Sequence, residues 1–129
     1  VQQNSKKDTI SVSPWLKHEE YIKHLPSFDI LILPSYAERF SMSLVEALGF
    51  GLPVISTFVG GTAEVVEDGI CGILHQPGDI EALQKAMEQL VNDKPLRVQM
   101  GRSGWERASV YFSGIVVKEK IENIYVSLK

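Results

Sequence analysis

Asp29-Ile30-Leu31-Ile32-Leu33 is a short segment, continuously apolar after Asp29, with Pro26-Ser27 before it and Pro34-Ser35 after it. It is too short for a helix and shows no alternation, so it suits a strand covered on both faces, as in parallel sheets. Parallel strands need crossovers, and the sequence supplies them. A helix is expected from about Ser41 to Phe50, with Gly51 and Pro53 ending it in the usual order. Pro53 to Thr57 is the next expected strand, Thr62 to Glu67 a short helix, and Gly72-Ile73-Leu74-His75 another strand. Upstream, Thr9-Ile10-Ser11-Val12-Ser13 alternates and is β-branched, which predicts a further strand. Lys17 to Leu25 predicts a short helix with Tyr21, Ile22 and Leu25 on one side.

The C-terminal part is expected to be helical. Asp79 is a natural N-cap for a helix through Val91, with Ile80, Leu83, Met87, Leu90 and Val91 on one stripe. Pro95 suits the first position of the next helix, which carries Leu96, Met100 and Trp105 near one face. A last helix after Ser113-Gly114 bears Val117, Ile121, Ile124, Tyr125 and Leu128. The predicted class is α/β: a parallel sheet of about four strands with flanking helices and a helical C-terminal end. Residues 1–8 are polar and suit a tail or cut linker, leaving 9–129 as one domain. The chain starts at Val1 rather than Met, which suggests a processed product or an excised piece of a longer protein.

Its 129 residues suit one domain, and 44% apolar content is enough for a core. A net charge of −3 argues against bulk attraction to nucleic acid or an anionic membrane, so no nucleic-acid partner is expected. No apolar run approaches the length of a membrane span. Cys71 is the only cysteine, so no internal disulfide forms, and a reducing, cytoplasmic setting fits. His18, His24 and His75 are scattered without ligand spacing, so no metal is expected.

In open parallel sheets, ligands bind outside the carboxyl ends of the strands. The loops after Leu33 and Thr57 lie there, and they carry Glu38 and Gly60-Gly61. Ser41 can cap the following helix and leave the N–H groups of Met42, Ser43 and Leu44 near its end, which favours an anion such as a diphosphate. Glu46 lies one to two turns on and can accept two ribose hydroxyls; Glu38 can accept a hydroxyl of a sugar. A plainer reading stands beside this one. Ser43-Leu44-Val45-Glu46 is itself a capping box, and Glu38 suits a solvated loop.

Phe40 is expected to plug the core beneath its loop. Gly60-Gly61 permits close backbone approach to a ligand or a tight turn. Thr62 suits a helix cap and Glu64 the surface. His18 and His24 are expected to be solvated, Cys71 buried, and Trp15 and Trp105 in the core or an interface. Gly49-Phe50-Gly51 is no dinucleotide fingerprint, because it lacks the third glycine and precedes a strand.

Leu33-Pro34-Ser35-Tyr36-Ala37-Glu38, Phe40-Ser41 and Leu44-Val45-Glu46-Ala47-Leu48 together resemble a glycosyltransferase signature. Gly51-Leu52-Pro53-Val54-Ile55 and Gly60-Gly61 with Glu64-Val65-Val66 continue it in order. The resemblance is to retaining, GT-B-fold glycosyltransferases of family 4, group 1, and spans roughly Ile10 to Lys129. It implies a Rossmann-like C-terminal domain that binds a nucleotide-diphosphate-sugar, most often UDP- or GDP-linked, with no further cofactor. Glu38 would match the catalytic glutamate at the donor sugar, and Glu46 the one that holds the ribose. Phe40, Ser41, Met42, Ser43, Gly60 and Gly61 would complete the donor site.

The acceptor would be a glycan, polysaccharide or lipid, bound mostly by an N-terminal domain that this sequence does not contain. The resemblance also implies a cytoplasmic enzyme, at times peripheral at the inner face of the membrane. The sequence departs from the pattern at Arg39, which suits water or a phosphate. It departs again at its start, where the family's basic diphosphate residues have no match. Such a fragment is expected to be inactive alone and to pair with a second copy through its open sheet edge. A non-catalytic nucleotide-sugar-binding or interaction domain and a GT-B nucleotide-sugar 2-epimerase are the alternatives.

Overall fold

In the computed structural model, residues 10–127 are described, and three strands make one parallel sheet in sequential order. The strands are β1 (Leu31–Leu33), β2 (Val54–Thr57) and β3 (Gly72–His75). Leu31 lies opposite Val54 and Leu33 opposite Ser56, while Val54 lies opposite Gly72 and Thr57 opposite His75. The helices are α1 (His18–His24), α2 (Met42–Gly49), α3 (Thr62–Val65), α4 (Ile80–Asn92), α5 (Lys94–Tyr111) and α6 (Gly114–Ser127).

β2 is buried along its whole length because successive side chains enter opposite layers. Val54 joins Leu25, Leu44, Leu48, Val65 and Cys71 on one side. Ile55 joins Ala86, Leu90 and Met100 on the other. Coverage on both faces, expected of the run ending at Leu33, is found instead in the central strand β2. β1 is an edge among the described residues, and Ile32 is partly exposed there.

The expected strand at Thr9 to Ser13 does not form over its described part. Ile10 to Ser13 is irregular, and Ile10 and Val12 are exposed; Thr9 lies outside the described residues. Alternation marks a strand only where one face meets a core, and no described residue covers these two side chains. The described sheet therefore has three strands rather than about four.

The helices correct further details. Asp93 caps α5 by accepting from the Leu96 N–H at 2.9 Å, which puts Pro95 at the second helical position rather than the first. Asp79 caps α4 as expected, accepting from the Ala82 N–H at 2.9 Å. The buried side of α4 is formed by Ala86 and Leu90, with Leu83 beside them, whereas Ile80, Met87 and Val91 stay exposed. Trp15 and Trp105 are exposed and lie outside the core. Cys71 is buried as expected, and burial pushes its thiol pKa up. No described residue of α6 is buried, and Val117, Ile121 and Ile124 face outward; Leu128 lies outside the described residues.

Two glycines let α5 approach closely. A Cβ on Gly101 would lie 2.1 Å from the Gly51 carbonyl oxygen, and one on Gly104 would lie 2.7 Å from Leu48 Cδ2. One turn beyond, Arg107 reaches across to the end of α3. Its Nε donates to the Val65 carbonyl at 2.8 Å, its Nη2 to the Glu64 carbonyl at 2.8 Å and its Nη1 to Glu67 at 3.4 Å. The guanidinium also sits 5.2 Å from the Tyr111 ring centroid. Helix C-termini leave such carbonyls unpaired, and the guanidinium fork serves two at once. Arg107→Ala is expected to destabilise the fold by about 1–2 kcal/mol. Arg107→Lys should recover only part of that, since one ammonium cannot reproduce the fork. Chemical denaturation checks it: equal midpoints for Ala and wild type would show that water serves the carbonyls as well.

Candidate functional site

The carboxyl ends of β1 and β2 open on the same side of the sheet because the two strands are parallel neighbours. The loop from Pro34 leads β1 into α2, and the loop from Phe58 leads β2 into α3. Hydroxyls bind the two loops together. Thr57 Oγ1 donates to the Ser35 carbonyl, and Ser56 Oγ donates to the Leu33 carbonyl at 2.9 Å. Thr62 Oγ1 lies 2.7 Å from the Thr57 carbonyl and 2.8 Å from the Val59 carbonyl, and accepts from the Val59 N–H at 3.1 Å. Thr62 is fully buried and closes the turn, so it is no helix cap; Gly61 holds the cap position of α3.

Gly60 and Gly61 meet the Glu38 loop directly. The Gly61 N–H donates to the Arg39 carbonyl at 3.0 Å. A Cβ on Gly60 would lie 1.6 Å from the Glu38 carbonyl oxygen, and one on Gly61 would lie 2.3 Å from that of Arg39. Gly60 also has φ +49°, which L side chains rarely adopt. The close approach that the glycine pair permits is therefore to the chain's own backbone.

Glu38 is half-buried, and its Oε1 accepts from Ser35 Oγ at 2.9 Å. It is a held carboxylate, not a freely solvated one. The Arg39 side chain is exposed and makes no ion pair among the described residues. Phe40 is not a core plug: it is 44% exposed and leans edge-on against Phe112, with ring centroids 5.9 Å apart. The loop is short, and its turn toward α2 carries the ring onto the end of α5 instead.

Ser41 caps α2, its Oγ accepting from the Leu44 N–H at 3.4 Å. The Met42 and Ser43 N–H groups have no partner among the described residues, and they stand at the positive end of the helix dipole. Glu46 makes no capping box with Ser43. Its Oε1 instead meets Nε2 of His18 at 2.6 Å. His18 is not simply solvated, and reasoning along the chain missed it because its partner is 28 residues away. One signal was available: His18, Tyr21, Ile22 and Leu25 have the spacing of one helix face, and the last three pack on the core.

The Tyr21 hydroxyl is buried beside this pair without a hydrogen-bond partner among the described residues. Burial raises its pKa, the nearby Ser43 hydroxyl pulls it down, and the Glu46 carboxylate raises it further. Among the described residues no cluster of His, Cys, Asp and Glu has the makings of a metal site, and no helix is long and apolar enough to cross a membrane.

Residues 1–107 match the glycosyl transferases group 1 family. The chain is 31% identical over 111 residues to the capsular polysaccharide biosynthesis glycosyltransferase CapM of Staphylococcus aureus, covering 85% of this chain and 29% of that protein. Among solved structures it is similar to the sucrose-phosphate synthase of Thermosynechococcus elongatus, with TM-score 0.87 and 27% identity over 95% of this chain and 31% of that one. It is also similar to Anabaena HepE in complex with UDP, with TM-score 0.76 and 26% identity over 80% of this chain and 29% of that one. The chain thus spans less than a third of each of these relatives. The paired loops at the carboxyl end of its sheet and a match over most of its length agree: the chain belongs to the glycosyl transferases group 1 family, with the Rossmann-like fold of a GT-B domain.

Proposed function

We propose that this chain forms the donor-binding part of a retaining glycosyltransferase that moves a sugar from a nucleotide-diphosphate-sugar to an acceptor hydroxyl. The observation that carries the reading is the start of α2. Two N–H groups with no partner among the described residues, of Met42 and Ser43, open a helix that has one held carboxylate before it in the chain, Glu38, and one within it, Glu46. The N–H groups suit a diphosphate. Glu46 suits a ribose diol, since an ionised carboxylate only accepts hydrogen bonds and has several lone pairs. Glu38, fixed by Ser35, suits a sugar hydroxyl and positive charge developing at the anomeric carbon.

Ser41 supports the helix start. Gly60 and Gly61 support the Glu38 loop from below, and Phe40 borders it. The UDP bound to HepE favours a nucleotide-sugar donor here. No cofactor beyond the donor is invoked, because stabilising the departing diphosphate is work for backbone N–H groups and positioned charge. The acceptor, a glycan or lipid hydroxyl, would bind mainly on another domain, so the chain alone is not expected to turn over.

The test is turnover of UDP- and GDP-sugars by the full-length protein, with the anomeric configuration of the product read by proton NMR. Glu38→Gln and Glu46→Ala are each expected to lower kcat/KM by about 10²-fold or more. Wild-type turnover in both variants would defeat the reading, and an inverted product would defeat the retaining mechanism.

A further inference from the structure

His18 opens α1, and its position follows from the helix it begins. The core-facing residues Tyr21, Ile22 and Leu25 lie three, four and seven places further on, so His18 sits at the head of the same face. Leu25 is fully buried and anchors that face. Glu20 steadies the helix start, its Oε2 accepting from the Lys17 N–H at 3.3 Å. The imidazole is thereby delivered to α2, with Nε2 at 2.6 Å from Glu46 Oε1.

A carboxylate has no proton to give, so Nε2 is the donor and carries the hydrogen. The His18 side chain is 69% exposed and that of Glu46 only 17% exposed. The contact therefore costs the fold little if lost, yet it restrains a carboxylate that is mostly out of solvent. Glu46 Oε2 makes no hydrogen bond among the described residues, and Oε1 keeps a second lone pair. Of the roughly four lone-pair sites of the carboxylate, three thus stay open while its rotation is held from the fourth.

We propose that His18 is a positioning residue for ribose recognition: its Nε2–H holds Glu46 so that the remaining lone pairs receive the two hydroxyls of a nucleoside ribose. This rests on the reading of Glu46 as the ribose acceptor. The consequence is specific. Removing His18 frees the carboxylate to rotate, which weakens hydrogen bonds to the diol and leaves the contacts to diphosphate and base alone. A residue that merely propped up α1 would affect every nucleotide alike.

The experiment measures affinity of the full-length protein for UDP, GDP and their 2′-deoxy forms by calorimetry, in wild type, His18→Ala, His18→Gln and Glu46→Ala. Wild type is expected to prefer the ribonucleotide. His18→Ala should weaken ribonucleotide binding about tenfold and the 2′-deoxy form, which keeps only one of the two hydroxyls, by clearly less, so that the preference shrinks. His18→Gln should retain the preference, because its amide Nε2 lies as many bonds from Cα as the imidazole Nε2 and also donates.

An unchanged preference in His18→Ala, or equal losses for both sugar types, would overturn the proposal while leaving the role of Glu46 standing. A preference that survives Glu46→Ala, or no nucleotide binding by wild type, would overturn the reading beneath it. Thermal unfolding of each variant, expected to stay at the wild-type midpoint, separates these outcomes from loss of fold.

Discussion

Gly60→Ala is expected to cost about 3 kcal/mol of stability or, where the loop yields instead, to cut turnover of the full-length protein by about 10²-fold. Two penalties coincide at this position. The backbone sits at φ +49°, which strains any residue with a Cβ. The new Cβ would also fall 1.6 Å from the Glu38 carbonyl oxygen and 2.8 Å from its carbon. Both obstructing atoms are backbone, so no rotamer change relieves the clash. One of the two loops has to move, and the loop that moves is either the turn closed by Thr62 or the segment that carries Glu38.

Gly61→Ala separates the two penalties. Gly61 has an ordinary φ of −82°, so only the 2.3 Å approach to the Arg39 carbonyl opposes the methyl group. Paired measurements of unfolding and of kcat/KM decide how the cost is divided. If both variants keep wild-type stability and turnover, the loops do not pack as closely as described, and the support assigned to the glycine pair is wrong.

Gly101→Ala is expected to destabilise by about 2–3 kcal/mol, against the direction that helix propensity alone would give. Ala inside a helix is favoured over Gly by about 1 kcal/mol. Here the Cβ would press to 2.1 Å from the Gly51 carbonyl oxygen and 3.1 Å from its carbon. Gly51 cannot easily retreat, because it ends α2 at φ +74° and its N–H donates to the Leu48 carbonyl at 2.9 Å. The helices must therefore separate, which loosens the packing of Leu48 against Gly104. The control is Gly49→Ala, where nothing lies within 4 Å of the added methyl. That variant is expected to keep or slightly raise stability. Opposite signs from denaturant midpoints of the two variants would establish the close helix contact; stabilisation in both would refute it.

The central strand, the α2 crossover and the glycine and proline stops were legible because each rests on local chemistry. Val54 to Thr57 and Gly72 to His75 carry apolar β-branched or bulky runs between turn residues, and they are strands. Ser41 and Asp79 are short polar side chains before apolar helices, and they cap them. The failures have a common cause. The alternation at Ile10 and Val12 and the stripe of Ile80, Met87 and Val91 read as core-facing on pattern. All stay exposed because periodicity reports which residues share a face, not whether anything packs against it. The same limit made Phe40 a core plug on paper and a half-exposed neighbour of Phe112 in the fold.

The candidate site divides in the same way. By itself the sequence determined that two glutamates, a capped helix start and a glycine pair stand at the ends of parallel strands, since spacing and residue type dictate local conformation. Only the tertiary structure decided what those residues meet. It turned the glycine pair toward the Glu38 backbone, gave Glu38 to Ser35, and gave Glu46 to His18 rather than to a capping box. The physical reason is range. A cap or a turn is settled within a few residues of chain, whereas the partner of a charged side chain is settled by which helix the core packs beside it.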